Sequence, residues 1–207
     1  MMVRDNIMYQ STEAQALPDT SYIEIYEKIC SNMLTALMFH EQATDLFDFL
    51  SLHGFKRMHE YQYISESIGF RKLQRYYINR YNELVQPHEV SDPEAIPSEW
   101  MNHNRKDVTP QIKKRSVKEA FEEYREWEKE TEDHLCMYAN ALCERGKLMD
   151  YSYVMGMVED VCCELNRIDR MMLKLSGVDY SMEYIEEIQG ELHEKYKKKT
   201  HRTGKKL

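Results

Sequence analysis

The chain has 207 residues, a formal net charge of −8, 31% charged and 42% hydrophobic residues, and only 7 Gly and 5 Pro. That length suits one domain with a real core, and so few turn formers exclude a β-sandwich, a barrel or a disordered chain. The acidic balance argues against general binding to nucleic acid or anionic membranes.

No run approaches the ~18 uninterrupted apolar residues that a membrane helix needs. The opening "MMVRDNIMYQSTEAQALPD" carries acidic residues and no apolar block, so it is not read as a secretory signal. Cysteines stand at 30, 136, 143, 162 and 163, an odd number without a CxxC pair. Reduced thiols in a cytoplasm are the expectation.

Residues 1–20 are expected to be a flexible segment. "LPDTSYIEIYEKI" then carries a helix start, with Ser21 and Glu24 spaced for a capping box. Apolar residues recur at Tyr26, Ile29, Met33, Leu37, Ala43, Phe47 and Leu50, which predicts a helix over 21–52 with Gly54 as its left-handed cap. A second helix over 55–85 follows from Tyr63, Phe70, Leu73, Tyr77 and Leu84, and Pro87 is expected to stop it.

The stretch 86–117 holds four of the five prolines and breaks every period, so it reads as a long connection with a short helical turn near Ser98–Asn102. A third helix is predicted over 116–144, on Phe121, Tyr124, Thr131, Leu135, Tyr138 and Leu142, with a turn at Gly146. A fourth runs over 149–175 through Val154, Val158, Val161, Leu165, Ile168 and Leu175. A shorter fifth helix over 181–197 ends the domain, and 198–207 reads as a basic, disordered tail.

Two long helices joined by a tight turn, a long crossover and two more long helices predict an all-α four-helix bundle whose second and third helices run parallel. In this architecture, and in the stretch "YVMGMVEDVCCELNRIDRMMLKLSGVD" with its Gly-containing exit, the chain resembles the ferritin-like superfamily over about 22–190. The resemblance implies a ferritin-like topology, non-haem iron as cofactor and, in an active member, Fe(II) oxidation at carboxylate-bridged metal. It also implies further assembly into an oligomer. The family's Glu-x-x-His pair is not found where it would be placed: the helices offer Glu130-x-x-Asp133 and Glu159-x-x-Cys162 instead.

Four residues remain as candidate metal ligands. His40 lies on the first apolar stripe, and with a turn centred near 53 Glu66 falls at the same depth, ~20 Å away from that turn. Glu128 and Glu159 fall in the middle third of the other pair. His134 is expected near the core. Carboxylate and imidazole donors suit iron in both oxidation states. The bland alternatives are a hydrogen-bonded core histidine, a Glu66–Arg71 pair and carboxylates on solvated faces. The expected function is therefore iron or other divalent-metal handling, and the rival is a metal-free helical scaffold or interaction module. The basic tail could touch nucleic acid weakly.

Overall fold

The computed structural model describes residues 21–90 and 104–203, and among them the regular structure is entirely helical. The five α-helices are α1 Tyr22–Phe49, α2 His53–Tyr81, α3 Pro110–Glu144, α4 Leu148–Ser176 and α5 Met182–Thr203. None of the described helices is long and apolar enough to cross a membrane.

The start of α1 is the expected capping box. The Glu24 amide donates to Ser21 Oγ at 3.3 Å, and the Ser21 amide donates to Glu24 Oε2 at 2.8 Å. The end of α1 corrects the sequence reading: Ser51, at φ 57°, takes the left-handed position, and the Leu52 amide closes the turn on the Phe47 carbonyl at 2.8 Å. Gly54 lies inside α2 and is buried. It is glycine because α5 crosses there, so that a Cβ would stand 1.8 Å from the Gln189 carbonyl oxygen.

Pro87 does not stop α2. Asn82 does so at φ 55°, donating its amide to the Ile78 carbonyl at 2.8 Å, because asparagine tolerates the left-handed region at little cost. The two described ends of the crossover bond to α1. The His88 amide donates to Ser31 Oγ at 3.1 Å, and the Arg105 guanidinium, in a 3-10 turn over Arg105–Asp107, donates to the Asp48 carbonyl at 2.8 Å. The turn expected near Ser98–Asn102 falls outside the described residues.

Helix α3 begins earlier than its apolar stripe, because Thr109 caps it and Pro110 sits at its first position; the Ile112 amide donates to Thr109 Oγ1 at 3.3 Å. Gly146, at φ 69°, makes the next turn as expected. Helix α5 extends past its expected end, through Thr203, into the segment read as a tail.

Contacts fix the arrangement. Phe47 meets Phe55 near the first turn and Tyr26 meets Tyr77 far from it, so α1 and α2 are antiparallel. Arg125 pairs with Asp169 and Cys162 bonds Glu132, so α3 and α4 are antiparallel too. Phe55 packs on Phe121, while Tyr77 shares a cluster with Leu142, so α2 and α3 run in the same direction. Helix α5 lies against α2, with Tyr196 on Tyr61 and Arg57 Nε donating to His193 Nδ1 at 3.1 Å.

The apolar interior falls into two clusters. One gathers Phe39, Phe47, Leu50, Phe55, Phe121, Ile168 and Tyr196; the other gathers Tyr26, Ile29, Leu73, Tyr77, Leu142 and Val154. Each fully buried Phe or Leu contributes roughly 1.5–3 kcal/mol, so both halves are well anchored. Between them lies a polar layer.

Candidate functional site

The polar layer is built by four helices. From α2 come His59, Gln62 and Glu66, spaced three and four apart so that all three share one face. Tyr124 and Glu128 come from α3 by the same spacing, Glu164 and Arg167 from α4, and His40 from α1.

His40 and His59 are 1% and 2% exposed, and their Nδ1 atoms stand 3.0 Å apart. One neutral ring must donate and the other accept, since two acceptors or two protonated rings would repel at that distance. Burial pulls His40 well below the usual imidazole range, with His59 adding to the effect, and burial alone pulls His59 down to about 3. Around the pair the walls are aromatic: Phe47 stacks on His59 at 5.4 Å, and Tyr124 stands edge-on to His40 at 5.1 Å.

Tyr124 connects the histidines to the carboxylates. Gln62 Nε2 donates to its hydroxyl at 3.1 Å, and the hydroxyl donates to Glu164 Oε1 at 3.1 Å. The other oxygen of Glu164 is held by Arg167. Burial, then Glu128 and Glu164, pushes the Tyr124 phenol well above its ordinary range.

Glu128 is buried, and burial followed by repulsion from Glu66 and Glu164 pushes its carboxyl well above the usual range. Glu66 is pushed up to about 7 by burial, with Glu164 and Asp160 adding repulsion. A desolvated carboxylate without a cation protonates, because the charged form loses far more hydration than it regains. Arg167 supplies one positive charge to three acidic groups, so the layer holds protons at neutral pH.

The four predicted ligands therefore do not form one site. Glu66 and Glu128 enter the layer, and His40 is inside but committed to His59. Glu159 is exposed on the surface of α4. The reason is angular: Val154, Val158, Val161, Leu165 and Ile168 make the inner stripe, and Glu159 is about 100° away from Val158. His134 is exposed, its ring set against Tyr138 at 6.2 Å. Arg71 is exposed and makes no ion pair with Glu66 among the described residues.

Glu164 was legible. It falls on the α4 stripe between Val161 and Ile168, and it is as far from Gly146 along the chain as Glu128 is. His59 and Gln62 were legible as polar interruptions between Phe55 and Leu73 on α2. The tyrosine hydroxyl that joins them carries no sequence signal.

Among the described residues, no group of three or more His, Cys, Asp or Glu side chains is set as a ready metal site. The dinuclear iron set that the resemblance implies does not fit these residues. Its Glu-x-x-His pair is absent, one imidazole nitrogen of His40 is consumed by His59, and Glu159 is outside. All five cysteines are free thiols.

A scan against protein-family models finds no match to this chain. A search of curated proteins likewise finds no match.

Proposed function

We propose that this chain is a four-helix bundle of ferritin-like topology that takes up a single divalent metal ion at Glu66, Glu128 and Glu164. Two antiparallel helix pairs, a long connection between α2 and α3 whose described ends bond to α1, and the shared direction of α2 and α3 support the topology. The observation that carries the cation reading is the polar layer's acid content: carboxyl groups from three helices repel one another inside the protein, and only Glu164 has a paired cation, Arg167. A hard cation relieves that repulsion and replaces the protons. Side chains must turn inward to meet it, since their present arrangement is not a ligand set. A donor set of oxygens favours Mg or Mn over a site that needs imidazole, and iron is the ion the family resemblance implies. No oxidation step is derived.

The test is titration of chelator-treated protein with Mn(II), and anaerobically with Fe(II), with proton release recorded alongside heat. One ion per chain with release of about one to two protons near neutral pH is expected, since Glu66 and Glu128 hold protons there. Glu128→Gln should abolish both signals while the protein stays folded, because the amide removes a buried acid. Absence of stoichiometric binding, or binding unchanged in Glu128→Gln, overturns the reading.

A second reading, a metal-free scaffold or interaction bundle, draws on two observations. His40 and His59 satisfy each other, and Arg167 already neutralises Glu164. Under this reading the layer fixes helix register and binds nothing, so the same titration separates the two.

A further inference from the structure

Outside the interior layer, one surface feature runs against the charge of the molecule. A cavity of about 450 Å³ opens between α4 and α5, lined by Arg167, Arg170 and Lys174 from α4 and Lys195 from α5. The rest of its wall is neutral, Asn166 and Met171 among it, with neither a carboxylate nor an aromatic ring. Four cations thus meet in one groove of a chain whose net charge is −8.

Arg167 is paired with Glu164, and Lys195 stands over the Tyr196 ring at 5.0 Å, but among the described residues no carboxylate is paired with the other three cations. Arg170 gives its Nε to the Asn166 carbonyl at 3.1 Å, and among the described residues Arg170, Lys174 and Lys195 make no ion pair. Lys174 is in the last turn of α4, where a cation is favoured by the helix dipole, and that explains one of the four. Lys195 comes from another helix. Partial burial, then repulsion from Lys199 and Arg167, holds its ammonium below the usual lysine range, with Lys174 adding to the effect and Glu164 opposing it. Such crowding is unfavourable in the free protein and is relieved by an anion.

We propose that this groove binds a small polyphosphate group, of the pyrophosphate or triphosphate kind, through Arg167, Arg170, Lys174 and Lys195. Guanidinium forks fit phosphate oxygens two at a time, and ammonium groups add point charge. The volume lies in the range of small-molecule sites. A wall without aromatic rings offers no stacking surface for a base, so the phosphates carry the recognition. A long nucleic acid is disfavoured because the acidic surface beyond the groove repels its backbone. The groove shares Arg167 with the interior layer, where it holds Glu164, but the proposal rests on Arg170, Lys174 and Lys195 and not on the cation reading.

The test uses full-length protein in chelator, titrated with inorganic tripolyphosphate at fixed ionic strength and followed by calorimetry. Saturable binding of one tripolyphosphate per chain is expected, weakened about 10-fold or more in both Arg170→Gln and Lys195→Gln. Lys118→Gln, which removes a charge paired with Glu122 on α3, should leave the affinity unchanged. All three side chains are exposed, so the variants retain the fold. Equal weakening in all three variants, or no saturation, would mean unspecific attraction and overturn the proposal. So would tight binding of a single-stranded oligonucleotide with no response to tripolyphosphate.

Discussion

Acidification should act first on the histidine pair, and the substitution His59→Gln isolates the effect. His59 is drawn from 6.5 down to about 3 by burial. Below 6.5 the unfolded chain therefore takes up a proton that the folded chain refuses, so this group's contribution is intact above 6.5 and is lost progressively as pH falls toward about 3. At pH about 4.5 the loss is two units' worth, about 3 kcal/mol for this one ring. At neutral pH the variant loses the bond to His40 and the stack on Phe47, a cost of about 2 kcal/mol. The variant should thus be less stable than the parent at pH about 7.5 and slightly more stable at pH about 4.5. Urea unfolding followed by far-UV circular dichroism at several pH values measures the difference. Titration of Glu66 and Glu128 occurs in both proteins and largely cancels. A difference that stays constant across that range refutes the argument, because it would mean that His59 can take a proton without leaving the fold.

Glu66 should behave in the opposite sense. Its carboxyl rises from 4.5 to about 7, so its favourable contribution is complete below 4.5 and is lost as pH climbs through 7; in chelator, Glu66→Gln should gain about 3 kcal/mol above pH about 8 and nothing at pH about 4.5, read by the same urea series. Gly54→Ala places a Cβ 1.8 Å from the Gln189 backbone, which has no flexible end to move, so α5 must shift; a loss of ~1–3 kcal/mol or more, with new protease cuts in α5, is expected, and an unchanged melting temperature would refute the close approach. Asp150, 0% exposed, accepts from Tyr26 at 2.8 Å and Tyr76 at 3.0 Å and faces Arg80 at 3.6 Å. Asp150→Ala should cost about 3 kcal/mol or more in urea unfolding, since it strips two hydroxyls and a guanidinium of their shared partner.

Helix existence and order were legible because period and punctuation agree along the chain. Ser21 and Glu24, and Gly146, each announce their boundary by local chemistry, whereas Thr109 and Pro110 open α3 inside a stretch that reads as connection, because its prolines break the apolar period. The misplaced boundary at Gly54 shows where local chemistry stops. A glycine beside a turn signals a cap, but this one answers to α5, which arrives 135 residues later in sequence. The same shift moved the assumed centre of the first turn, and with it the partner of His40. Taking the turn through Ser51 brings His40 toward the level of His59 and Gln62, and leaves Glu66 farther along α2. Glu159 was chosen for its place in the sequence of α4 although its angle faces solvent. Glu164 has the right angle, on the stripe between Val161 and Ile168.

The placement of the polar layer is itself informative about how the fold is specified. Two apolar clusters of comparable character, both rich in aromatic and aliphatic side chains, would let the helix pairs slide by a turn at modest cost, since one hydrophobic knob replaces another. Between them stand the His40–His59 bond, which joins α1 to α2, and the Gln62–Tyr124–Glu164 chain, which joins α2, α3 and α4, and neither survives a one-turn slip of about 5.4 Å. Burying these groups costs stability relative to an apolar layer, yet any misregister leaves several of them unpaired, which costs more. Asp150 with its tyrosines makes a second such lock at the far end, joining α1, α2 and α4. The bonds of the layer account for the histidines, Gln62 and Tyr124 through register alone. They do not account for Glu66 and Glu128 together, because one acid bonded to Tyr124 would serve register as well as two that repel. That surplus of buried acid is the part of the layer on which the proposed cation would act.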